Sequence, residues 1–209
     1  MQRRHILAVL ASLVLLGACG NEAKRPAIEP DQVVLAFGDS VTFGTGASPG
    51  EDWPSLLATQ TRWQVINAGI PGDTAQAGKA RIGALLDAHD PVLVIVEIGG
   101  NDFLRKRSAT DVKEDIRALL KSIKQSGAQA ALVAVPELSL MSIVAGKPSD
   151  SPIYRELAHE EGVTIVSDVF SDVLSQPELC ADRIHPNAKG YREMADGLFA
   201  RLSEIGFVR

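Results

Sequence analysis

Short, mostly apolar runs alternate along this chain with longer stretches in which apolar residues recur every three or four positions. Val33–Phe37, Gln64–Ala68, Val92–Ile98, Ala130–Val135 and Val163–Ser167 are the short runs, and each predicts a strand. Between them the 3.6-residue period predicts helices over Trp53–Gln60, from about Thr74 to Ala88, from Thr110 to Ser126 and from Asn187 to Glu204. The helix over 110–126 carries Val112, Ile116, Leu119, Leu120 and Ile123 on one face, with Thr110 as its expected N-cap and Gly127 past its end. Runs such as Val92-Leu93-Val94-Ile95-Val96 have no polar alternation, so both faces must be covered, as in a parallel sheet between helices. Five such strands alternating with amphipathic helices predict a doubly wound α/β fold with a five-stranded parallel sheet. Ligands of such sheets bind beyond the carboxyl ends of the strands, where the strand order reverses.

The first residues follow a different pattern. Arg3 and Arg4 precede the apolar or small residues Ile6 to Leu16, a signal-peptide layout too short to span a bilayer as a helix. Leu16-Gly17-Ala18-Cys19 resembles the bacterial lipobox, in which cleavage leaves the cysteine as the acylated first residue. An ordinary secretory signal is the plainer alternative. The resemblance divides the chain into a signal peptide (1–18), a lipidated Cys19 with a polar, proline-containing tether (19–32) and a catalytic domain (33–209). Fully extended, the tether would reach about 45 Å. Gly20 replaces the Asp that retains many lipoproteins at the inner membrane. This implies a lipid-anchored protein of the bacterial cell envelope, at the outer membrane or periplasmic face if the cell is Gram-negative.

Composition narrows the partners. The 209 residues are 45% hydrophobic and 22% charged, with a formal net charge of −5. That suits one globular domain and lacks the basic surface that nucleic acid requires. Cys19 and Cys180 match no zinc spacing and make at most one disulfide.

Four blocks next to the predicted elements hold the unusual polar residues. Gly38-Asp39-Ser40-Val41-Thr42-Phe43-Gly44 follows the first strand; a serine nucleophile there would need a base within hydrogen-bond reach. Asn67-Ala68-Gly69-Ile70-Pro71-Gly72-Asp73-Thr74 offers backbone N–H groups to an anion. Gly99-Gly100-Asn101-Asp102 presents a side-chain amide beyond the third strand. Asp182-Arg183-Ile184-His185-Pro186-Asn187 spaces a carboxylate to hold an imidazole and set its tautomer. Each block alone reads equally as a turn or helix cap. Their joint placement and order favour chemistry.

With these blocks the chain resembles the SGNH hydrolases of the GDSL family, most closely the arylesterase, thioesterase and lysophospholipase-like branch. The likeness runs from about Val33 to the C-terminus and includes Gly50-Glu51-Asp52-Trp53-Pro54 and His185-Pro186-Asn187-Ala188-Lys189-Gly190. It implies a serine esterase with Ser40, His185 and Asp182 as the triad. The oxyanion hole would be formed by the Ser40 and Gly72 N–H groups and the Asn101 amide. No cofactor or metal is implied. The substrates would be short-chain, aryl or lysophospholipid acyl esters. A carbohydrate or peptidoglycan O-deacetylase and a non-catalytic binding lipoprotein are the competing readings. The G-x-S-x-G motif of α/β-hydrolases and the G-K-[ST] of a P-loop are both missing.

Phe43, Trp53 and Phe103 lie close to the blocks and are candidates for pocket walls, with core packing an equal alternative. His89 and His159 read as surface histidines and Cys180 as a small buried or half-exposed thiol. Glu97, near the end of a buried strand, should be paired, because a buried carboxylate needs a partner. The thioesterase-like branch usually carries a Pro-Asn-Tyr-Gly element after the fourth strand, where this chain has Pro136-Glu137-Leu138-Ser139-Leu140-Met141. That departure points to a different acyl preference, with Leu140 and Met141 expected on the acyl side of the pocket.

Overall fold

The computed structural model describes residues 27–137 and 148–209. Five parallel strands form one sheet: β1 (Val33–Gly38), β2 (Gln64–Gly69), β3 (Leu93–Glu97), β4 (Gln129–Val133) and β5 (Thr164–Val166), in the order β2-β1-β3-β4-β5. The helices are α1 (Ser40–Phe43), α2 (Trp53–Thr61), α3 (Ala75–His89), α4 (Gly100–Leu104), α5 (Ala109–Gln125), α6 (Pro152–Glu161), α7 (Val169–Leu174) and α8 (Ala188–Ile205). Helix α3 packs on α5 and α5 on α6, while α2 and α7 pack on α8, so the sheet lies between two helix layers. This is the predicted doubly wound α/β fold. Central strands β1 and β3 are buried on both faces, and the apolar face of α5 (Val112, Ile116, Leu119, Leu120, Ile123) is fully buried.

The register decides where chemistry can occur. Gly38 of β1 pairs with Gly69 on one side and Glu97 on the other, so three strands end in one row. The chain order reverses at β1, and the segments leaving Gly38, Gly69 and Glu97 therefore emerge side by side. Two glycines make this crowding possible. A Cβ on Gly38 would lie 2.1 Å from Thr42 Oγ1 and 2.2 Å from the Glu97 carbonyl oxygen, and one on Gly69 would lie 2.2 Å from the Phe43 nitrogen.

Several boundaries differ from those expected. Ser108, not Thr110, caps α5, because its hydroxyl accepts the Asp111 N–H at 3.1 Å and returns a bond to the Asp111 carboxylate at 2.7 Å. Strand β4 ends at Val133, with Ala134 and Val135 still buried past its end. Residues 28–32, assigned to the tether by their polarity, lie against the domain. Ile28 is buried, donates its N–H to the Phe207 carbonyl at 2.8 Å and accepts the Trp63 indole N–H at 3.2 Å. One apolar residue in a polar stretch is enough to dock it. Leu140, Met141 and Cys19 lie outside the described residues.

Candidate active site

Asp39 follows β1 directly, and its carboxylate accepts the Val41 N–H at 3.0 Å, capping α1. This turn places Ser40, half-buried, at the carboxyl end of the central strand. The hydroxyl of Ser40 lies 2.9 Å from His185 Nε2. On the other side of the ring, Nδ1 is 2.8 Å from Asp182 Oδ2. An ionised carboxylate only accepts, so Nδ1 carries the proton and Nε2 is left to accept from Ser40. Asp182 Oδ1 takes the N–H groups of Ile184 and His185 at 2.8 and 2.9 Å. Burial raises the Asp182 pKa, but the bonds from the His185 ring and these two N–H groups outweigh it and hold the carboxyl below its usual range. Asn187 fixes the segment from behind: its side chain caps α8 and donates to the Glu178 and Cys180 carbonyls.

Of the expected oxyanion-hole groups, Ser40 and Asn101 line the recess beside the triad, and Gly72 directly precedes Asp73, whose carbonyl accepts from Asn101. Among the described residues the N–H groups of Ser40 and Gly72 meet no acceptor, so both are free to donate. Gly72 has φ +81° and its carbonyl is held by Arg105 Nη2 at 3.0 Å. Asn101 enters from α4, and its amide nitrogen donates to Asp39 Oδ2 at 3.1 Å and to the Asp73 carbonyl at 3.0 Å. Gly99 opens α4 at φ +123°, where a Cβ would lie 2.3 Å from the Tyr154 hydroxyl oxygen.

Two cations that sequence reasoning missed, Arg81 and Arg107, brace these loops. Arg81 of α3 reaches Asp73 Oδ2 at 2.7 Å and the carbonyls of Ala68 and Gly38 at 2.9 Å each, with its guanidinium over the Phe37 ring. One cation thus ties the ends of β1 and β2 to the Gly72 turn. Asp102 is fully buried, accepts the Ala75 N–H at 2.9 Å and pairs with Arg107, which also holds Asp115. Neither role has a sequence signature, since Arg81 and Arg107 look like ordinary helix and loop cations until the chain is folded. Glu97 is also fully buried. Thr42 Oγ1 donates to its Oε2 at 2.8 Å, while Oε1 meets no partner among the described residues. Burial drives its pKa well up, and the nearby Asp39 carboxylate adds to the rise. The expected pairing of Glu97 is therefore with a hydroxyl, not a cation.

A recess of about 20 Å³ beside the triad is lined by Ser40, Asn101, Leu104, Phe170, Ile184 and His185, among others. The lining does not include the three aromatics singled out from sequence. Trp53 and Phe103 are buried in the core, and Phe43 stands 55% exposed on α1. Leu104, Phe170 and Ile184 had no signal beyond hydrophobicity. A larger cavity of about 660 Å³, lined by Asp150, Ser151, Arg155, His159 and Ile165, lies between α6 and β5 and includes no triad residue. Cys180 is half-buried and free, its Sγ 3.5 Å from the Gln176 carbonyl oxygen.

A serine hydroxyl, an imidazole and a carboxylate in hydrogen-bonded sequence form the arrangement that acyl transfer requires. Residues 36–193 match the model of the GDSL-like lipase/acylhydrolase family. The chain belongs to this family. It is 33% identical over 177 residues to thioesterase 1/protease 1/lysophospholipase L1 of Escherichia coli K12, covering 82% of this chain and 84% of that one. It is 32% identical over 178 residues to an arylesterase of Vibrio mimicus, covering 81% and 88%. The crystal structure of TesA superposes with a TM-score of 0.73 at 26% identity, covering 83% of this chain and 99% of that one. This GDSL enzyme is a carboxylic ester hydrolase.

Proposed function

We propose that the enzyme hydrolyses acyl esters by a two-step serine mechanism. The observation that carries the reading is the Ser40–His185–Asp182 chain, with contacts of 2.9 and 2.8 Å. Ser40 Oγ attacks the ester carbonyl carbon as its proton passes to His185 Nε2. The resulting imidazolium is held by Asp182 at Nδ1. When the tetrahedral intermediate collapses, the leaving alkoxide takes the Nε2 proton and departs as the alcohol, leaving an acyl-Ser40. A water then attacks that acyl group, giving its proton to Nε2, and Ser40 leaves with that proton restored.

The Ser40 and Gly72 N–H groups and the Asn101 amide stabilise the oxyanion in both steps. One such donor contributes about 2.7–4 kcal/mol to barrier lowering, so Asn101→Ala lowers kcat by about a hundredfold or more. The substrates we assign are short-chain, aryl or lysophospholipid acyl esters. The enzyme would work at a membrane, anchored through Cys19 by several acyl chains, a stable attachment where one chain would be marginal.

The experiment is a panel of p-nitrophenyl esters from acetyl to long acyl, lysophospholipid and acetylated polysaccharide, run with the wild type and Ser40→Ala. Turnover of acyl esters by the wild type alone is expected. Preference for acetylated polysaccharide would make it a deacetylase, and equal, negligible turnover by both proteins would make it a binding protein.

A further inference from the structure

Both N–H groups of the Asn101 amide are already engaged in the resting enzyme, one by a carboxylate and one by a backbone carbonyl. The Ser40 and Gly72 donors are free. For Asn101 to serve an oxyanion, one of its two bonds must be shared or exchanged. Hydrogen bonds to an ionised acceptor are roughly twice as strong as neutral ones. The bond to the Asp73 carbonyl is therefore the one that yields, and the bond to Asp39 is the one that holds the amide in place.

We propose that Asp39 is the positioning residue of the oxyanion hole, its buried carboxylate bridging the Val41 N–H of the nucleophile turn and the Asn101 amide so that the two move as one unit. This rests on the reading of Ser40 and Asn101 given above. Asp39 does not touch substrate; it acts through Asn101. The carboxylate is 3% exposed, and its two oxygens serve different elements, Oδ1 on α1 and Oδ2 on α4. A cap alone would need only the first.

Protonation would remove an acceptor from this bridge. Burial pushes the Asp39 pKa up to about 6, while the Val41 N–H, the neighbouring His185 and the Asn101 amide pull it down and Asp73 pushes it up. The titratable groups that feel its charge are His185 from the loop before α8, Asp73 from the turn before α3, Glu97 from β3, Tyr154 from α6 and Tyr191 from α8. A raised carboxyl pKa means the bridge is intact above about pH 6 and weakens below it, adding one ionisation to the acid side of the rate profile.

The test is a double-mutant cycle with Asp39→Asn and Asn101→Ala on p-nitrophenyl acetate. Asparagine keeps an oxygen for the Val41 N–H but turns an NH₂ donor toward the Asn101 donor. We expect Asp39→Asn to lower kcat by about tenfold to a hundredfold with KM changed less than about threefold, and to lose one proton from the acid limb. We expect the double variant to be no slower than Asn101→Ala, because a residue acting only through Asn101 has nothing left to position. Wild-type kcat in Asp39→Asn, or losses that multiply in the double variant, would overturn the proposal. Should Asp39→Asn fail to fold, Asp39→Ser, which keeps a capping oxygen too short to reach Asn101, takes its place in the same cycle. Labelling of wild-type Ser40 by a fluorophosphonate is run alongside; no labelling would overturn the reading of Ser40 and the proposal with it, whereas labelling with a multiplicative cycle overturns the proposal alone.

Discussion

A carboxyl group held in the core by one threonine and no cation costs stability, and Glu97 is such a group, with Oε1 unpartnered among the described residues. Its folded-state pKa is raised well above the ordinary 4.5, chiefly by burial. The folded protein therefore holds this proton more tightly than the unfolded chain. As pH rises past about 4.5 the unfolded chain ionises first, and stability falls until the folded-state value is passed. Glu97→Gln keeps the acceptor for Thr42 and removes the ionisation. It should raise the unfolding free energy by about 1–3 kcal/mol at pH 8 and by much less at pH 4.5, read from urea titrations at both. An equal gain at both would show that ionisation is not the cost. That Glu97 is unusual was legible in the sequence, as a carboxylate ending an apolar run. That its partner is Thr42 was not, because the contact exists only when α1 folds back over Gly38. The Ser40–His185 pair was legible because each residue sits in a short polar block at a strand or helix end, whereas nothing marked Arg81 apart from other helix cations.

At the level of elements, the five strands and their parallel pairing could be read from mostly apolar runs, and four helices from their period, whereas the strand order could not. Helix ends were less legible. Thr110 and Ser108 are both good caps by residue type, and only the bond from the Asp111 N–H separates them. Ser108→Ala should destabilise the protein by about 1 kcal/mol and Thr110→Ala by well under half as much, measured by chemical denaturation. The reverse order would put the start of α5 at Thr110. The short helices α1 and α4 had no periodic signal, since four or five residues cannot show one. They are made by the loops they close: Asp39 caps α1, and Gly99 supplies the positive φ that opens α4. The row formed by Gly38, Gly69 and Glu97 was also hidden, because register is a property of pairing and not of any one segment.

For the whole molecule, the domain boundary expected at residue 33 lies within a segment that packs on the fold from Ile28 onward. Glu29 also pairs with Arg209, drawing the start of the domain to its end. The proposed tether is thereby shortened to the residues between Cys19 and Ile28, which, with the proposed anchor, would hold the catalytic domain nearer the bilayer. Cys19→Ser should abolish incorporation of labelled palmitate and move the enzyme from the membrane fraction to the soluble fraction of cells; unchanged fractionation would remove the lipid anchor from the account. The catalytic claim is independent of that anchor and rests on Ser40. Its most direct test is the hydrolysis of p-nitrophenyl acetate by purified wild type and Ser40→Ala, both shown to be folded. A fall of about a thousandfold or more in kcat for Ser40→Ala is expected, and wild-type turnover by that variant would contradict the assignment of Ser40 as nucleophile.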